Sequence, residues 1–162
     1  MNHFEFFGIP ISFYPDQSAL NKQFKINVMQ HHPDLNEGND DAEVFTAKSN
    51  AAFKILKTDK KRIAYILKLT KTMVEGEKSV LPNTFLMEMM ELNEALMDAK
   101  MEGESIAETL KEVDERNKQI WKEIETIGSQ ADKHPESFND ALAQIKNLFL
   151  QGRYLERILE QG

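Results

Sequence analysis

Gln30-His31-His32-Pro33-Asp34 closes one helix and opens a turn. Proline disfavours helical geometry in the residue before it, so the upstream helix stops near His32. That helix starts at Asp16, an N-cap after Pro15, and continues through Leu20, Phe24, Val28 and His31 at helical spacing. Downstream lies a polar loop, Asp34 to Asp41. A second helix is predicted from about Ala42 to Leu56, burying Phe45, Ala52, Ile55 and Leu56. Ile63, Ile66 and Leu67 predict a shorter helix around Lys60 to Thr70. At the turn, His32 and Asp34 project from the loop, and the Asp34 carboxylate can accept charge-assisted hydrogen bonds from a partner's arginine. The same three residues also fit an ordinary helix end. A metal site built from His31, His32, Asp34, Asp40 and Asp41 is a competing reading. Adjacent helix residues point about 100° apart, so the two histidines do not converge as a pair four residues apart would. No metal is expected.

The chain has 162 residues, 41% hydrophobic and 29% charged, enough for one ordinary domain or two small ones with a sizeable core. It has no cysteine, which excludes disulfides, thiolate zinc sites, cysteine-held iron–sulfur clusters and cysteine nucleophiles. No apolar run approaches the ~20 residues of a membrane span. Met1-Asn2-His3-Phe4-Glu5-Phe6-Phe7 lacks the basic start and long apolar stretch of a secretory signal. A soluble, intracellular chain is expected. The formal charge of −7 is unevenly shared: residues 1–75 carry 10 basic and 9 acidic side chains, residues 76–162 carry 10 and 18. Eight basic side chains between Lys48 and Lys71 face a single acid, Asp59. The two halves should attract different partners, and the acidic half argues against a general nucleic-acid binder. The sequence has no phosphate-cradling glycine motif and no nucleophile–base pair, so neither an enzymatic activity nor a cofactor is expected.

Helical periodicity in Lys/Glu/Leu/Met/Ala stretches, without sustained alternation, predicts an all-α chain. Thr72 to Pro82 breaks the pattern, with Gly76 and Pro82 around charged and small residues, and reads as a boundary between subdomains. Three long helices follow. One runs from about Thr84 to Met101 and is ended by Gly103. The next is opened by a Ser105-Ile106-Ala107-Glu108 capping box and closed by Gly128. The last has Pro135 near its first turn and ends by about Glu160. Short connections favour an antiparallel bundle. Trp121, with Ile120, Ile124 and Ile127, is expected in or beside the core. Gly152 either permits close packing or marks a bend, and His3 and His134 have no evident partners.

On a helical wheel Phe85, Met89, Leu92, Leu96 and Ala99 form one core stripe. Leu86, Met90, Met97 and Met101 form a second apolar group about 100–160° round the wheel. Met87 and Glu94 border it, with Asp98 and Glu91 farther on. A central bundle helix with a broad buried face fits this pattern. So does a partner-binding surface of deformable methionines with a carboxylate rim for a basic partner. The pairing of many methionines with flanking acids favours binding.

Taken together, Phe4-Glu5-Phe6-Phe7-Gly8-Ile9-Pro10, the helix before the tripeptide, His32-Pro33-Asp34 and Asn50-Ala51-Ala52-Phe53-Lys54-Ile55-Leu56 resemble a J-domain. The resemblance implies a short first helix and an antiparallel helix pair tipped by the loop. It also implies that His32, Pro33 and Asp34 activate the ATPase of a DnaK-class chaperone, with Lys22 and Lys25 facing the chaperone's acidic groove. Asn27 falls where an apolar core residue is expected and, if buried, needs a hydrogen-bond partner.

Three further stretches are similar to HscB-type co-chaperones, in the same order: Lys61-Arg62-Ile63-Ala64-Tyr65-Ile66-Leu67, Pro82 to Leu96, and Arg153-Tyr154-Leu155-Glu156-Arg157-Ile158. This likeness implies an L-shaped all-α protein with a J-domain at 1–71, a linker at 72–82 and a three-helix client-binding bundle at 83–162. It implies no chemistry of its own, but docking of the iron–sulfur scaffold IscU and its delivery to the chaperone HscA. By the same resemblance the client-binding residues are Leu86, Met87, Met90, Glu91, Glu94, Asp98 and Tyr154. Without a cysteine-rich N-terminal zinc module, a bacterial, cytoplasmic chain is expected. Two other readings are a J-protein serving a general DnaK-class chaperone with another client, and a purely structural interaction bundle.

Overall fold

Asn2 and Glu5 cap each other at the start of α1 (His3–Phe6): the Glu5 N–H donates to Asn2 Oδ1 at 2.9 Å and the Asn2 N–H to Glu5 Oε2 at 3.2 Å. The computed structural model describes residues 1–32, 34–78 and 80–161. Six more α-helices follow among them: α2 (Gln17–Gln30), α3 (Asp40–Leu56), α4 (Asp59–Leu69), α5 (Asn83–Met101), α6 (Ala107–Lys133) and α7 (Phe138–Glu160). No strand occurs among the described residues, so the all-α class expected from periodicity holds. The chain divides into two units, Met1–Thr72 and Met73–Gly162.

In the first unit Asp16 caps α2 as expected, its Oδ1 accepting the Ser18 N–H at 2.9 Å. Asn39 caps α3 two residues earlier than predicted, accepting from Asp41 and Ala42. Phe24 stacks on Phe53 at 4.1 Å and His31 on Phe45 at 3.8 Å, so numbers fall on α3 as they rise on α2 and the pair is antiparallel. Leu20, Ala52, Leu56, Ile63, Ile66 and Leu67 form the core with Phe4, Phe7 and Phe13 from the N-terminal segment. Phe45 and Ile55, expected in the core, are only half-buried. Phe45 instead lies between the His31 ring and Phe6.

Arg62 is buried in this core at 0% exposure. A guanidinium is tolerated there only with its donors used. Its Nε donates to Phe13 O at 2.6 Å, Nη1 to Leu56 O at 2.8 Å and Nη2 to Asp59 Oδ1 at 2.7 Å. One side chain thus pins the segment before α2, the end of α3 and the start of α4. His3, read as partnerless, stacks on Tyr65 at 4.5 Å and donates its backbone N–H to Tyr65 Oη.

The second unit is a three-helix bundle. Phe85, Met89 and Leu96 of α5 are buried with Val113, Ile120 and Ile124 of α6 and Ile145, Phe149, Leu155 and Ile158 of α7. Leu92 and Ala99, placed in the same stripe, are half-buried. Trp121 meets Phe149 edge-on, and Gly152 lies against Asn117, Ile120 and Trp121, so α6 and α7 run antiparallel. A Cβ on Gly152 would stand 3.2 Å from Asn117 Oδ1, so this glycine permits close helix approach.

Two helix boundaries differ from expectation. Gly128 does not close α6; it is buried inside it, and the helix runs on to Lys133. A helical glycine weakens a helix by about 1 kcal/mol relative to alanine without ending it. Nor does Ser105 form a capping box. Its Oγ accepts from Ala107 N at 3.3 Å and Ile106 holds the cap position. His134, also read as partnerless, has Nδ1 3.7 Å from Glu136 Oε1.

Candidate functional site

The end of α2 leaves carbonyls without intrahelical donors, and the loop after it and α3 supply them. Asn36 Nδ2 donates to Gln30 O at 3.2 Å and to His32 O at 3.1 Å, and Thr46 Oγ1 donates to His31 O at 3.1 Å. Within the loop the Asp34 N–H donates to His32 Nδ1 at 3.1 Å and the Leu35 N–H to His32 O at 3.0 Å. The same Nδ1 lies 3.5 Å from Asp34 Oδ2. His32 and Asp34 are both exposed, the Asp34 side chain at 89%. Pro33 lies outside the described residues.

Lys22 and Lys25 are exposed on α2. Ile26 and Met29 share their face at positions i, i+3, i+4 and i+7, and Met29 is 70% exposed. Sequence reading missed this apolar pair, although the spacing alone would have joined it to the lysines. It also missed Asn36 and Thr46 as braces of the loop. His31 turns inward, its Nδ1 3.2 Å from Asn27 O and its ring on Phe45. No group of three or more His, Asp or Glu is arranged to hold a metal among the described residues.

The second candidate surface is on α5. Leu86, Met87 and Met90 are 38%, 63% and 71% exposed, so the second apolar group is not a buried bundle face. Glu91, Glu94 and Asp98 are exposed along its flank. Tyr154 of α7 is half-buried beside it. Its Oη accepts from Asn93 Nδ2 at 3.1 Å, its ring meets Phe85 edge-on at 5.9 Å, and the Arg157 guanidinium covers the ring at 5.7 Å. Asn93 lies in line with Leu86 and Met90, seven and three residues away. The structure therefore brings Tyr154 to the apolar strip, and the acids border the strip on the side away from the core stripe. A surface of this kind supplies apolar contact with an acidic rim.

A DnaJ domain model matches residues 2–65, and a model described as the HSCB C-terminal oligomerisation domain matches residues 81–161. The co-chaperone protein HscB homolog of Ralstonia nicotianae is 34% identical over 108 residues, covering 63% of this chain and 61% of that protein. The HscB homolog of Acinetobacter baumannii is 35% identical over 99 residues, covering 61% and 58%. The aligned stretch thus spans less than two thirds of either relative. The crystal structure of human co-chaperone protein HscB is similar with a TM-score of 0.71 and 26% identity, covering 99% of this chain and 80% of that one. The structure of chaperone HscB from Vibrio cholerae has a TM-score of 0.56 and 26% identity, covering 99% of both chains. With a J-domain model on its first part and the HscB C-terminal model on half its length, this chain belongs to the HscB co-chaperone family.

Proposed function

We propose that this protein is a co-chaperone of iron–sulfur cluster assembly. It docks an IscU-type scaffold on the α5–α7 face and delivers it to an HscA-type DnaK-class chaperone. The chaperone's ATPase is stimulated through His32, Pro33 and Asp34. In this reading residues 1–71 serve as the J-domain, 72–82 as linker and 83–162 as the client-binding bundle. The observation that carries it is the presence, in one chain of this family, of an outward His32/Asp34 turn and an exposed Leu86–Met90 strip edged by carboxylates.

Asp34 would accept a guanidinium of the chaperone through charge-assisted hydrogen bonds, while Lys22 and Lys25 steer an acidic surface onto α2. Ile26 and Met29 add apolar contact on that same face. The client would bury Leu86, Met87 and Met90 against Tyr154, with its basic side chains meeting Glu91, Glu94 and Asp98. The protein itself transfers no group and binds no nucleotide.

Two measurements separate the parts. ATPase stimulation of the purified chaperone should vanish with His32→Gln or Asp34→Ala, at unchanged helical content. Equal stimulation by wild type and both variants overturns the activating role. In calorimetric titration with apo-scaffold, Leu86→Ala, Met90→Ala and Tyr154→Ala should each weaken binding, and a hot spot loses at least about 2 kcal/mol on truncation. Unaltered binding in all three rejects this face.

A further inference from the structure

Two exposed methionines of α5, Met97 and Met101, have no role in that assignment. They are 64% and 81% exposed. They continue the line of Leu86 and Met90 through Asn93, whose amide is bound to Tyr154 Oη. Leu86, Met90, Asn93 and Met97 follow one another by four, three and four residues. That is the spacing at which a second helix seats its side chains between those of the first. From Leu86 to Met101 the strip is about 22 Å long at 1.5 Å per residue, or roughly four turns. At its far end Asn93, Leu96, Met97, Lys100, Met101 and Gln161 line a shallow depression that can receive an apolar side chain.

Charge selects the occupant. Glu94 and Asp98 flank this half of the strip, and residues 76–162 carry 18 acids against 10 bases. A second copy of the chain would bring the same carboxylates to the same seam. A basic-flanked helix instead finds opposite charge on the flank carrying Glu91, Glu94 and Asp98, while Lys100 and Arg157 stand on the other flank. We propose that the strip seats one amphipathic helix of the client over its full length. That helix is apolar along the seam and carries Lys or Arg beside Glu94 and Asp98, with Met97 and Met101 gripping its far end. The proposal rests on the client reading above and extends it.

The test uses the full-length protein labelled at its methionine methyls and titrated with apo-scaffold. The Met90, Met97 and Met101 signals should move, while buried Met89 and Met29 on α2 stay in place. Intermolecular contacts from the moving methyls should fall on scaffold residues three, four or seven apart. The Met97→Ala/Met101→Ala double variant should bind about tenfold more weakly at unchanged thermal midpoint, because both side chains are exposed. Silent Met97 and Met101 signals, with Leu86→Ala still weakening the complex, overturn the extension and leave the client face standing. Contacts to alternate residues of an extended strand overturn the helical occupant. Shifts that grow with protein concentration alone assign the seam to a second copy and overturn the partner. A scaffold that does not bind at all removes both readings.

Discussion

At the scale of single residues, Arg62 holds the first unit together through three bonds to three segments. Replacing it with alanine removes the donors to two buried carbonyls and leaves a cavity, so Arg62→Ala should lose about 3 kcal/mol in urea unfolding. Arg62→Lys should recover little of this, because one ammonium cannot span the guanidinium's fork. Asp59→Asn should matter far less, since Asp59 is largely exposed. His3 gives a pH dependence of definite sign. Partial burial holds its imidazole below the ordinary value of 6.5. The unfolded chain therefore takes up this proton at higher pH than the folded one. The contribution is fully present above pH 6.5 and is lost as pH falls through the lower folded value. Thermal unfolding between pH 8 and pH 5 should show this slope, and His3→Phe, which keeps a ring on Tyr65, should flatten it.

At the scale of elements, α6 and α7 depend on the absence of a side chain at Gly152. An added Cβ meets Asn117 Oδ1 at 3.2 Å and Trp121 Nε1 at 3.6 Å. In Gly152→Ala the gain in helix propensity, about 1 kcal/mol, opposes this crowding. Gly152→Val adds branched bulk between the helices and should destabilise by about 2 kcal/mol, read as a lower thermal midpoint. Elements of this kind were the most legible part of the sequence. Periodicity and the Asp16 cap placed α2, and the wheel separated the buried Phe85 stripe from the exposed methionines. Gly128 misled because glycine both ends helices and lets them approach, and only packing tells which. Arg62 was invisible because Lys60-Lys61-Arg62 reads as a solvated cationic run. Asn27 looked out of place in a core and is indeed 5% exposed. Its Oδ1 accepts from Gln23 while Nδ2 has no hydrogen-bond partner among the described residues. The braces Asn36 and Thr46 could not be read, because their acceptors are carbonyls whose positions depend on the folded turn.

At the scale of the whole molecule, the two units differ in charge as well as in surface. The acids of α5 are exposed, and such attraction acts over about 10 Å at 0.1 M salt and about 3 Å at 1 M. If the α5 face docks its client as proposed, raising salt from 0.05 to 0.5 M weakens that binding several-fold, mostly through slower association. The thermal midpoint should move little, because the cores rest on buried apolar side chains; stopped-flow association rates and melting curves check the two halves of this expectation. Five of the eight methionines lie on α5, and four of these five face outward. Their thioethers are open to peroxide, whereas Met89 is shielded at 1% exposure. Sulfoxide formation would turn the greasy strip polar without unfolding the bundle. The proposed client surface would then lose its grip under oxidative stress and regain it once a reductase restored the thioethers.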